Sequence, residues 1–285
     1  MFNKSWNTFK EKIRKLRVLL KWVRQAHTID TLDSPHIAAI IKKVIWRNDI
    51  PKQITDIIEK RRSELLNSRK SITPVDLGAG SFSGKTKMRS IAEIARNAVS
   101  EKAKCRLLYN TAQYYKPKNI LELGTSLGIS SLYLSKALPK SQIYTIEGDL
   151  QILGFASSHK IPKTDNIQYI NADFEQGLNK LLTDGQSMDL ILIDGAHHSK
   201  LQEALLPYYR SLSHKKTVWI IDDIYWSEDM TAWWNSLIPE KQFNVAIDLF
   251  QFGILYYNDQ IKEPINVKIL PKKIRWKLGL TRPLN

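Results

Sequence analysis

Two hydrophobic periods divide the chain. From residue 117 onward, short apolar runs alternate with segments whose apolar residues recur every three or four positions. The runs Asn119–Leu123, Gln142–Glu147, Ile167–Ile170, Met188–Asp194 and Thr217–Asp222 predict strands, because near-continuous apolar runs suit a sheet covered on both faces. Between them Ser130–Leu138, Leu150–His159, Glu175–Leu182 and Ser199–Leu212 predict helices, and Glu228–Leu237 predicts another. Phe243–Leu249 and Phe252–Tyr257 read as a closing hairpin. Strand alternating with helix predicts an α/β fold, a doubly wound Rossmann-like sheet over residues 117–260. Ligands of such sheets bind at the carboxyl ends of the strands, and so the chemistry is sought there.

Upstream the pattern is helical only. Phe2, Trp6, Phe9, Ile13, Leu16, Leu20 and Val23 follow a 4-3-4-3-4-3 spacing, with Leu19 and Trp22 widening the stripe, which predicts an amphipathic helix. Its seam needs a cover: the body of the chain, a second copy in a homo-oligomer, or an anionic membrane surface attracted by the flanking Lys and Arg. A second helix runs from Pro35, capped by Ser34, to about Trp46, and a third from Pro51 to Leu66. Residues 1–70 thus form a helical N-terminal extension, residues 71–116 a linker and lead-in helix, and residues 261–285 a basic tail.

Charge sharpens this division. The 285 residues carry a net charge of +15. Residues 1–24 hold +7 and residues 261–285 hold +6, leaving +2 for everything between. A nucleic-acid footprint should cover a binding face of the body, so this distribution argues against nucleic acid as a partner. The single cysteine, Cys105, excludes an internal disulfide and a cysteine zinc site. It suits a reducing, cytoplasmic setting. No apolar run reaches the roughly 18 residues that a membrane span needs. Peripheral attachment at a membrane is the remaining alternative location.

Two glycine-bearing loops compete as ligand sites. Ala79-Gly80-Ser81-Phe82-Ser83-Gly84-Lys85-Thr86 fits a relaxed phosphate-binding pattern, and would make the chain a nucleotide hydrolase. Pro74 and Asp76 spoil the strand that should precede it, although a helix over Ile91–Val99 follows. Leu121-Glu122-Leu123-Gly124-Thr125-Ser126-Leu127-Gly128-Ile129-Ser130 follows a clean strand and opens a clean helix. About 20 residues on, where a doubly wound nucleotide site carries its ribose-binding carboxylate, a strand ends in Glu147.

Glu122-x-Gly124-x-x-x-Gly128-x-Ser130 resembles the first motif of class I S-adenosylmethionine-dependent methyltransferases. Asp194-Gly195-Ala196-His197 and the pair Asp222-Asp223 narrow the resemblance to the bacterial branch similar to catechol and caffeoyl-CoA O-methyltransferases. It covers about residues 105–257 and implies a seven-stranded sheet. It implies S-adenosylmethionine as cofactor, with the methionine part held by Glu122, Gly124, Thr125, Ser126, Gly128 and Ser130. Glu147 would take the ribose, Asp173 and Phe174 would lie near the adenine, and Asp194 would close the cofactor site. The implied reaction is methyl transfer to oxygen on a small-molecule acceptor. A weaker alternative is a membrane-surface adaptor that merely binds the cofactor.

Asp194, Asp222 and Asp223 each end an apolar strand, and three converging carboxylates invite a hard cation such as Mg²⁺. Metal-dependent relatives have Asn at the place of Asp223. His197, where relatives place a lysine, is the candidate base for the acceptor hydroxyl, acting beside Asp194. His198 is expected to point away, and Trp226 to wall the acceptor pocket. Trp233, Trp234, Tyr208 and Tyr209 read as core.

Overall fold

The computed structural model describes residues 2–28, 32, 34–73, 88–158 and 161–270, with residues 2–12 given by backbone alone. The 79–86 loop and residues 271–285 therefore lie outside the described residues. The helical extension comprises α1 (Phe2–Gln25), α2 (Pro35–Ile40) and α3 (Lys52–Leu66). Ser34 caps α2 through its hydroxyl, which accepts from the Ile37 amide, and Pro35 fits the first turn, where no amide hydrogen is needed. α2 continues into one π-helical turn, Ile41–Ile45. β1 (Ser71–Ile72) and β2 (Arg89–Ser90) form a small antiparallel pair. It leads into α4 (Ile91–Ala98) and α5 (Lys102–Tyr115).

The main sheet follows: β3 (Asn119–Leu123), β4 (Gln142–Glu147), β5 (Ile167–Asn171), β6 (Met188–Ile193), β7 (Ser213–Asp222), β8 (Val245–Asp248), β9 (Phe252–Tyr256) and β10 (Ile265–Lys268). The order across it is β10-β8-β9-β7-β6-β3-β4-β5. β9 runs antiparallel to both neighbours, and every other pairing is parallel. The sheet thus has eight strands where seven were expected. The eighth, β10, is four residues long and lies in the segment that charge alone assigned to the tail. It uses the open edge of β8 and is fastened to the end of α1. The His27 amide donates to the Lys268 carbonyl at 2.7 Å, and the Leu270 amide donates to the His27 carbonyl at 3.1 Å.

Helices α6 (Ile129–Ala137), α7 (Leu150–Ser157), α8 (Phe174–Thr183), α9 (Ser199–Leu212) and α10 (Glu228–Leu237) complete the fold. Because side chains alternate across a strand, one register fills two cores. Ile120, Leu190, Leu192, Val218 and Ile220 pack toward α4, α5 and α6. Leu121, Leu123, Ile191, Ile193, Trp219 and Ile221 pack toward α8, α9 and α10. Trp233, Trp234 and Tyr209 are buried in the second core, whereas Tyr208 is only partly covered.

Among the described side chains of α1 the expected seam is only partly covered: Leu16 and Leu20 are exposed, Ile13 and Val23 are half-buried, and Trp22 is the buried one. Its indole Nε1 donates to Asp248 Oδ1 at 2.8 Å, and its ring meets Phe250 edge-on. A tryptophan that fills a hole and makes a hydrogen bond outweighs a thin row of leucines, since it brings both area and a satisfied polar tip.

After β3 the chain moves outward to β4 and β5, then returns to the other side of β3 with β6. This reversal opens a crevice at the carboxyl ends of β3 and β6, the usual ligand position of doubly wound sheets.

Candidate functional site

The β3–α6 turn builds one wall of the crevice. Gly124 has φ +95°, and a Cβ there would lie 2.5 Å from the Asp194 carbonyl oxygen, so glycine alone permits the two strand ends to approach. Gly128, φ +79°, caps α6 against Ala156. Beneath the turn, Glu122 is fully buried. The Ser131 hydroxyl donates to its Oε2, as does the Thr145 hydroxyl at 2.7 Å. Thr125 and Thr145 hydroxyls meet at 2.7 Å, so a relay ties the turn to β4. Burial raises the Glu122 carboxyl above its ordinary range despite these donors. Ser126, φ +47°, carries a buried hydroxyl with no hydrogen-bond partner among the described residues.

Glu147, at the end of β4, accepts the Ser126 amide at 3.0 Å through Oε2 and the Asp149 amide at 3.1 Å through Oε1. An ionised carboxylate has about four acceptor positions, which leaves two for a diol. Burial pushes this carboxyl up.

The Asp194–His198 loop is held from behind. Gln202 donates to the Gly195 and Ala196 carbonyls, both at 2.8 Å, and itself accepts from the Tyr209 hydroxyl. This places His197 with Nε2 3.6 Å from Asp223 Oδ2 and its ring 5.6 Å from that of Trp226. Asp223 is in the left-handed region, φ +53°, and its carboxyl is raised by burial and by the neighbouring Asp222 charge.

Gly124, Thr125, Ser126, Gly128, Ser130, Glu147, Phe174, Asp194, His197, Asp222, Asp223 and Trp226 all line one cavity of about 640 Å³. His198, expected to point away, is exposed and also borders the cavity. Glu122 supports the floor from below without lining the cavity. Asp173, expected near the adenine, caps α8, where its Oδ1 accepts the Gln176 amide at 2.8 Å. Trp226 is half exposed, and α1 leans on it: Arg14 donates to its carbonyl at 2.7 Å, and Lys15 Nζ lies 4.5 Å from its ring centroid.

The acidic cluster differs most from expectation. Lys104 of α5 is buried, and its ammonium bridges Asp194 and Asp222, the latter at 2.5 Å. Burial opposes a charged lysine, but the two carboxylates hold its pKa well above the ordinary value. Burial and the Asp222 charge push Asp194 up, while Lys104 keeps Asp222 down. Asp223 turns to His197 instead of joining this pair. Among the described residues no group of three His, Cys, Asp or Glu side chains is arranged to hold a metal ion. The donor set therefore does not fit Mg²⁺, because an ammonium stands between two of the three carboxylates. Sequence reading missed Lys104, yet its signal was present. Lys104, Leu107, Leu108 and Thr111 share one helical face, and a lysine on an apolar face needs an anion beside it.

Residues 121–224 match the family model of a methyltransferase domain. Three solved structures share the fold. A Klebsiella pneumoniae protein assigned as an O-methyltransferase aligns at TM-score 0.53 and 16% identity, over 77% of this chain and 94% of its own. The Bacillus cereus O-methyltransferase, solved with S-adenosylhomocysteine, aligns at 0.52 and 16% identity, over 80% and 98%. The Streptomyces achromogenes O-methyltransferase involved in tomaymycin synthesis, solved with S-adenosylmethionine, aligns at 0.50 and 16%, over 74% and 100%. The chain thus shares the fold of these O-methyltransferases, and the methyltransferase-domain match lies within its sheet. Among the described residues no helix is long and apolar enough to cross a membrane.

Proposed function

We propose that the chain is an S-adenosylmethionine-dependent O-methyltransferase acting on a hydroxyl-bearing small molecule. The observation that carries this reading is the convergence of the Gly124–Ser130 turn, Glu147 and the Asp194–His197 loop on one cavity at the switch point of the sheet. The unpartnered Ser126 hydroxyl and the two spare acceptor positions of Glu147 fit a ribose-bearing ligand. The cofactor, when bound, supplies an electrophilic methyl group on a sulfonium.

The protein's own groups have separate tasks. The turn lets backbone approach the ligand at the N-terminus of α6. Glu147 fixes the ribose hydroxyls, and the Phe174 ring borders the same cavity. His197 takes the proton of the acceptor hydroxyl. With Nε2 turned to Asp223, Nδ1 is the nitrogen for this transfer, and the Asp223 carboxylate stabilises the imidazolium that results. Trp226 and the α1 side chains seated on it form the acceptor-side rim.

Calorimetry with S-adenosylhomocysteine tests the reading. Glu147→Ala should weaken binding by about 1–3 kcal/mol, the range for a lost hydrogen bond to a charged group. Lys85→Ala, in the competing loop, should change nothing. Equal affinity of a folded Glu147→Ala protein would remove the assignment, and a large loss in Lys85→Ala would favour the other loop.

A further inference from the structure

Among the described residues, Asp194 and Asp222 are the two carboxylates of the cavity bridged by one lysine of the chain itself. Lys104 is 5% exposed and contacts both. Its position is not adventitious, because α5 is set by neighbours on the same face. Cys105, Leu108 and Ala112 are fully covered, and the Asn110 side chain donates to the Val44 and Arg47 carbonyls at 2.8 and 2.9 Å. A helix so fixed delivers the Lys104 stem to one place, at the open end of β6 and β7.

We infer that Lys104 is a built-in cation that occupies the place of a divalent metal between Asp194 and Asp222, so that this methyltransferase site is assembled without one. Two arguments lead there. First, an ammonium and a divalent cation compete for the same oxygen atoms, and a covalently attached competitor has no translational entropy left to lose. Second, the third carboxylate has been given other work. Asp223 sits beside His197 at 3.6 Å, where it serves the base. An ammonium also has three donors. Two are spent on the carboxylates, and Lys104 lines the cavity, where the third can meet an acceptor oxygen. Lys104 is thus a positioning residue for the acidic pair and a candidate contact for substrate.

This inference rests on the proposed methyltransferase reading, and its test separates the two. The full chain is titrated with Mn²⁺ and followed by electron paramagnetic resonance and thermal melting, while S-adenosylhomocysteine calorimetry is run on the same samples in excess chelator. The wild-type chain should bind S-adenosylhomocysteine in chelator, take up no stoichiometric Mn²⁺, and melt at an unchanged temperature when Mn²⁺ is added. Lys104→Ala should melt lower, bind Mn²⁺ at least about 100-fold more tightly than the wild type, and regain several degrees with it. Lys104→Arg keeps the charge and should still exclude Mn²⁺. Stoichiometric Mn²⁺ in the wild-type chain would overturn the inference even if Lys104→Ala failed to fold. A folded Lys104→Ala protein with no gain in Mn²⁺ affinity would overturn it as well. Absence of S-adenosylhomocysteine binding by the wild-type chain would instead defeat the functional reading and leave the Mn²⁺ result standing as a measure of the lysine.

Discussion

At the scale of single residues, burial decides which charged groups are tools and which are supports. Glu122 carries the acidic position of the glycine motif, and the motif alone marks it as a ligand. The structure shows it sealed under the turn, with three hydroxyl groups, those of Ser131, Thr145 and, through Thr145, Thr125, linked to it. Burial raises its carboxyl above the ordinary value of 4.5. The sign follows from linkage. The folded state binds the proton more tightly than the unfolded state, so the contribution to stability is greatest in acid and is lost as pH rises through the folded pKa. Glu122→Gln removes that titration. The stability difference between variant and wild type should move in favour of the variant as pH rises above the ordinary value. The slope is at most about 1.4 kcal/mol per pH unit for one proton. Urea denaturation at several pH values reads it, and a difference independent of pH would show that Glu122 is ionised throughout. Lys104 gives the converse lesson. Its place on an apolar helical face signalled a buried charge, but the partners come from β6 and β7, some 90 and 118 residues further on. Spacing along one helix cannot name them.

At the scale of elements, the sequence patterns succeeded where period and turn chemistry agreed. β3, β4, α9 and α10 have the bounds that alternation and helical spacing predict. β10 escaped notice because four residues between prolines carry almost no periodic signal, and its pairing depends on a free edge of β8. The β3–α6 turn is the element on which the candidate site depends most. A methyl group on residue 124 would face the Asp194 carbonyl at 2.5 Å, from a backbone conformation that side chains rarely adopt. Neither obstacle is the tip of a flexible side chain. Gly124→Ala should therefore destabilise the fold by more than about 1 kcal/mol, the least that left-handed backbone costs an L-residue. It should also push β3 and β6 apart and abolish measurable S-adenosylhomocysteine binding. Calorimetry beside thermal melting checks both, and a well-folded variant with normal affinity would mean that the crevice tolerates a wider opening. Asp173 illustrates the opposite case. A strand-end acid looks like a ligand in sequence, and here a helix begins at the next residue, so one oxygen of the carboxylate also caps its first turn.

At the scale of the whole molecule, α2 and α3 share the core of the sheet domain, whereas α1 is tied on through the Trp22 side chain, the short strand β10 and its contacts with Trp226. The charge pattern separated two basic ends from a neutral body, but it could not show that the ends meet. They do so where His27 pairs with Ile269, just beyond β10, and where Lys268 donates to Gln25 Oε1 at 2.6 Å. From this junction α1 runs back across the loop after β7. Trp22 anchors it on Asp248, whose other oxygen accepts from Tyr225 at 2.6 Å, and Arg14 and Lys15 reach Trp226 at the cavity rim. Tyr225, Phe250 and Trp22 form a continuous aromatic contact between these points. Loss of Trp22 thus removes a buried ring and a partner of a buried carboxylate together. Trp22→Ala should destabilise the chain by about 3–5 kcal/mol, the range for truncating a large buried aromatic, and Trp22→Phe by less, with Asp248 losing one donor. The functional consequence should be confined to one side of the cavity. The proposed cofactor half lies at β3, β4 and β6, away from the described contacts of α1, so S-adenosylhomocysteine affinity should stay within a few-fold in a folded Trp22→Phe protein. The proposed acceptor half includes the Asp223–Trp226 loop, and on that reading a looser α1 should raise the KM of the acceptor more than it lowers kcat. Equal damage to both halves would mean that α1 supports the domain as a whole, and an unchanged acceptor KM in a destabilised variant would mean that Arg14 and Lys15 decorate Trp226 without positioning it.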